Sequence, residues 1–73
     1  MIEIDKMSIF RLINEHWPIH SKEVATRLNV PLGQINSIHD LLYELSDEQK
    51  IEVREVGEML VAMPKDRMIG RNR

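Results

Sequence analysis

Histidines at positions 16, 20 and 39 are the first side chains to weigh, because an imidazole can ligate a metal or move a proton near neutral pH. His16 and His20 stand four apart, the spacing that puts two rings on one helix face, but Pro18 lies between them and interrupts any helix there. With no cysteine in the chain, the set also lacks the usual partners of a structural zinc site. Surface histidines are the expectation, and no metal is assigned. Catalysis has as little to stand on: no nucleophile sits beside a base, no glycine-rich loop is shaped for phosphate, and Asp47 and Glu48 fall where a loop would be wet. The expectation is no enzyme, no cofactor and no small-molecule substrate. The chemistry that remains is ionic. In residues 65–73, Lys65, Arg67, Arg71 and Arg73 face only Asp66, a net of +3 suited to a polyanion or an acidic partner.

The rest of the chain has the opposite sign. Ten Lys and Arg against twelve Asp and Glu give a formal net charge of -2, so residues 1–64 carry -5. A chain of 73 residues makes one domain, and at this size folding buries only about 60% of the surface that the unfolded chain exposes. No apolar run approaches the roughly 18 residues of a membrane span, and Met1-Ile2-Glu3-Ile4-Asp5 lacks the basic-then-apolar order of a signal peptide. Without cysteine there is no disulfide framework. These features lead to the expectation of a soluble, cytoplasmic protein with no membrane partner.

Positioning such charges requires elements, and the apolar spacing supplies them. Ile9, Phe10, Leu12 and Ile13 form one stripe of a helix from about Asp5 to His16, with Asp5 or Ser8 as its cap. Pro18 stops it and holds Trp17 extended, and a short extended piece runs to His20, with Trp17 plugging the core beneath the helix. Ser21 is placed as the N-cap of a second helix whose Val24, Ala25 and Leu28 face inward and whose Glu23 suits the helix dipole. A third helix runs from near Pro31 to about Ser46, with Ile35, Ile38, Leu41, Leu42 and Leu45 recurring at threes and fours. Ile51 to Arg54 then alternates, Met59 to Met63 is β-rich, and Gly57 lies in the turn between them. Pro64 ends the pairing.

Three residues tie the second and third helices into a helix-turn-helix. Ala25 is small enough to let the next helix approach, Asn29 tolerates the positive φ that the turn needs, and Ile35 fills the angle between the two. With the hairpin behind them, Ser21, Val24, Ala25, Leu28, Asn29, Val30, Ile35, Leu42, Ile51 and Val53 resemble the winged helix-turn-helix family of bacterial, archaeal and phage regulators. The resemblance covers about residues 5–64. It implies a mainly α fold with a small β-hairpin (α+β): three helices plus a two- or three-stranded wing over residues 1–64. The charges after Pro64 lead separately to the expectation of a basic, flexible tail over 65–73. Family members often have glycine where Asn29 stands, and many have one before the wing strand, where this chain has Gln49-Lys50.

In that family the third helix lies in the DNA major groove with its first exposed residues on base edges. The matching positions are Leu32, Gly33, Gln34, Asn36 and Ser37, with His39 and Asp40 a turn further on. Gln34 and Asn36 are able to contact adenine in bidentate fashion, and Ser37 can bond a phosphate. No Lys or Arg stands between Arg27 and Lys50, so the phosphate contacts fall to Lys22, Arg27, Lys50, Arg54, Lys65, Arg67, Arg71 and Arg73. The resemblance therefore implies a DNA-binding regulator that uses the third helix, the wing and the tail. Asp40, Glu44, Asp47 and Glu48 oppose it, and they support an alternative: a protein-interaction module that offers its acidic third helix, or Met59, Met63 and Met68, to a partner. Apolar Ile2, Ile4 and Met68 near the ends raise the expectation of a homodimer. Tyr43 is assigned to the core rim or to an interface.

Overall fold

The Asp5 carboxylate accepts the Met7 N–H and starts helix α1 (Lys6–His16), which buries Ile9 and Ile13. In the computed structural model, which describes residues 4–65, this helix is followed by β1 (Ile19–His20), α2 (Ser21–Arg27), a 3-10 turn at Leu32–Gln34, α3 (Ile35–Asp47), β2 (Ile51–Val56) and β3 (Met59–Pro64). The architecture of the described residues is α+β: three helices and an antiparallel sheet in the order β1-β3-β2, a winged-helix-like arrangement. The extended piece before α2 is thus a third strand, with Ile19 opposite Ala62 and His20 opposite Val61. Residues 66–73, which include most of the expected tail, lie outside the described residues.

The core sits between the three helices and the inner sheet face. Ile9, Ile13, Ile19, Val24, Ala25, Val30, Ile38, Leu42, Leu45, Ile51, Leu60 and Ala62 are buried, and Phe10, Leu12, Leu28, Ile35 and Leu41 pack against them. Ile4 belongs to that packed layer too. It is therefore not the spare apolar group that the dimer expectation used, while Ile2 and Met68 lie outside the described residues.

Both long turns use one device. Asn29 follows α2 at φ 60, with its N–H on Thr26 O and the Val30 N–H on Ala25 O at 2.8 Å. This is a Schellman ending, which satisfies carbonyls that the helix leaves open. Gln49 repeats it after α3 at φ 66, with its N–H on Ser46 O and the Lys50 N–H on Leu45 O. The positive φ before the wing strand is thus carried by glutamine. At the hairpin, Gly57 at φ 63 opens a two-residue turn between paired Val56 and Met59, as the tight hairpin geometry requires.

Three expectations are corrected here. His20, not Ser21, caps α2: its Nδ1 accepts the Glu23 N–H at 3.1 Å, and Ser21 is the first helical residue and fully buried. Trp17 is 39% exposed and does not plug the core, whereas Ile13 before it and Ile19 after it are buried. The third helix begins with a 3-10 turn over Leu32–Gln34, closed by the Gln34 N–H on Pro31 O, and becomes α-helical only at Ile35.

Candidate nucleic-acid interface

The Schellman turn aims the chain from α2 into α3 and leaves Leu32, Gly33, Gln34, Asn36 and Ser37 exposed at the start of α3. Leu32 is 53% exposed. The side chains of Gln34, Asn36 and Ser37 make no hydrogen bond to any described residue, so their donors and acceptors face water. Ala25 is fully buried and Ile35 is half-buried against the core, as the helix-turn-helix reading of these two positions requires.

A cavity of about 190 Å³ opens beside this helix start, lined by Lys22, Leu32, Ile35, Glu58 and Met59. Its walls come from α2, α3 and the wing, and a polar node ties the three together. Ser21 Oγ accepts the Leu60 N–H at 3.2 Å, lies 2.8 Å from His39 Nε2 and reaches Met59 Sδ at 3.7 Å. A buried hydroxyl is costly unless bonded, and this one is fully used. His39 is therefore half-buried and structural, where a surface histidine was expected. Met59 and Met63 are half-buried as well and not the exposed methionines of the interaction reading; Met68 lies outside the described residues. The node was not legible beforehand, since nothing in the spacing links positions 21, 39 and 60.

The proposed phosphate contacts divide. Lys22 stands at the cavity beside Leu32. Arg27 is held by Glu23, at 2.9 and 3.0 Å. At the far end of α3, Lys50 lies 5.8 Å over the Phe10 ring and Lys65 donates to Gln49 Oε1, with the Lys65 N–H on Lys50 O. Arg54 is exposed and without an ion pair among the described residues. It occupies the alternate position to Glu55, whose carboxylate accepts the Tyr43 hydroxyl at 2.9 Å, so Arg54 projects from the sheet face away from α3. The structure does not bring it to the α3 start. Arg67, Arg71 and Arg73 lie outside the described residues.

Carboxylates dominate the middle and end of α3. Glu44 and Glu48 are neutralised in part by Lys6, at 3.4 and 2.6 Å, and the hydrogen bond from Lys6 holds the Glu48 carboxyl below its ordinary value and raises Lys6 in return. The hydrogen bond to Glu55 raises the Tyr43 phenol, placing Tyr43 at the rim between α3 and β2. Asp40 and Asp47 are exposed and unpaired among the described residues. Among those residues no group of three His, Asp or Glu is placed to hold a metal ion, and no helix is long and apolar enough to cross a membrane. No family model, curated protein or solved structure matches the chain.

Proposed function

We propose that this chain is a small winged-helix DNA-binding protein, a cytoplasmic transcription regulator, that contacts DNA through the start of α3. The observation that carries the reading is the exposed trio Gln34, Asn36 and Ser37, with no internal hydrogen bonds, on the first turn of a helix that α2 and the wing brace. Lys22 stands at one end of that helix and the Lys50–Lys65 pair at the other, and 13 residues span about 20 Å. The reading takes these as the cations for phosphates flanking a groove. The tail arginines add sequence-independent attraction, while Asp40 and Asp47 subtract from it.

One observation favours a second reading, in which the acidic α3 docks on a partner protein: Asp40, Glu44 and Asp47 share that helix, and Glu48 caps its end, without a single Lys or Arg. Titration with mixed duplex DNA at several salt concentrations separates the two. The regulator reading expects binding at about 50 mM salt that weakens steeply as salt rises, as three or four phosphate contacts require. No binding at tens of micromolar protein would leave the partner-protein reading standing alone.

A further inference from the structure

We infer that this surface discriminates by base pair, favouring A·T over G·C, with a thymine methyl seated against Leu32 and adenine read by Gln34 and Asn36. The inference rests on the DNA-binding reading above and adds to it the class of sequence bound.

Three observations converge on it. The commonest specific contact to guanine is an Arg or Lys donating to O6 and N7, and residues 28–49 contain neither. The amides at the α3 start are the complementary group for the N6 donor and N7 acceptor of adenine, and Gln34 and Asn36 are exposed with no competing internal partner. Leu32 is 53% exposed, and behind it Ile35 and Met59 continue an apolar wall into the cavity of about 190 Å³. Of the four bases, only thymine presents a methyl group in the major groove, whereas cytosine presents an N4 donor there. Against Leu32 that donor would be stripped of water with nothing to accept it, which is unfavourable. Lys22, which lines the same cavity, is then the cation offered to a phosphate beside the contacted base.

The test uses the unmodified protein and duplexes of one length: A·T-rich, G·C-rich, A·T-rich with every thymine replaced by uracil, and A·T-rich with adenine replaced by 7-deazaadenine. Tighter binding to the A·T duplex by tenfold or more is expected. Loss of a buried methyl should weaken binding about fourfold per contacted thymine, and loss of adenine N7 about tenfold per bidentate contact. Leu32→Ala should be indifferent to the uracil exchange yet keep its sensitivity to 7-deazaadenine, and the Gln34→Ala/Asn36→Ala double variant the reverse. Equal binding to all four duplexes overturns the base-pair inference and leaves DNA binding intact. Failure to bind any of them overturns DNA binding itself.

Discussion

Ser21 shows how much of the wing's placement depends on one hydroxyl. Its oxygen is the acceptor for the buried Leu60 N–H, so Ser21→Ala leaves that donor unpaired and should cost about 1–3 kcal/mol in chemical denaturation. A loss smaller than the measurement error would show that the node does not hold β3. Asn29 and Gln49 carry strain of another kind, at φ 60 and 66. Asn29→Gly should stabilise little, because asparagine already tolerates that region, while Gln49→Gly should gain about 1 kcal/mol despite losing the exposed bond to Lys65. The reverse order in thermal unfolding would contradict the assignment of strain. At this scale Ala25 and Asn29 were legible, because smallness and positive φ leave a mark on residue type. The exchange of roles between His20 and Ser21 was not: both side chains can accept from a helix N–H, and only the pull of the Leu60 amide decides which is drawn inside.

Between elements, the Lys6 contact ties α1 to the end of α3, and its pH dependence follows from the shifts. Glu48 sits below its ordinary value of 4.5 when folded, so its contribution is present above that value and is lost as acid protonates it; Lys6 sits above 10.5, so its contribution is full below 10.5 and fades as pH rises beyond it. Lys6→Met should therefore lower stability slightly at neutral pH, with the difference shrinking as acid protonates Glu48 and as added salt screens the exposed pair. A difference that persists in acid would assign the effect to packing. Asp40 bears on the proposed DNA binding at the same scale, one turn beyond Asn36 and exposed on α3. Asp40→Asn should raise affinity for duplex DNA a few-fold at low salt, with the gain shrinking as salt rises. The helices and the hairpin were legible from apolar periods and turn residues. That β1 is a strand was not, since a two-residue element has no period and its pairing to Ala62 and Val61 depends on a hairpin forty residues later.

For the whole molecule, charge and fold pull in different directions. The fold brings Lys22, Leu32 and Met59 to one cavity and leaves three polar side chains exposed beside it, while residues 1–64 carry a net -5. Sequence order made the helix start readable as a surface, but which cations serve it depended on strand alternation and ion pairs that no linear pattern reveals. Arg54 projects from the other sheet face, and Arg27 is engaged by Glu23. Under the proposed DNA-binding reading what remains for phosphates is a small set, so the expected binding is weak, its salt slope is set by those few contacts, and specificity rests on uncharged groups. The most direct measurement is a titration of the wild-type chain and the Gln34→Ala/Asn36→Ala double variant against A·T-rich duplex DNA at about 50 and 200 mM salt. Wild type is expected to bind at the lower salt and to lose most of its affinity at the higher, with the variant weaker by tenfold or more at the lower salt yet sharing the same salt slope. Equal affinity of the two proteins, or no binding by the wild type, would contradict a recognition surface at the start of α3.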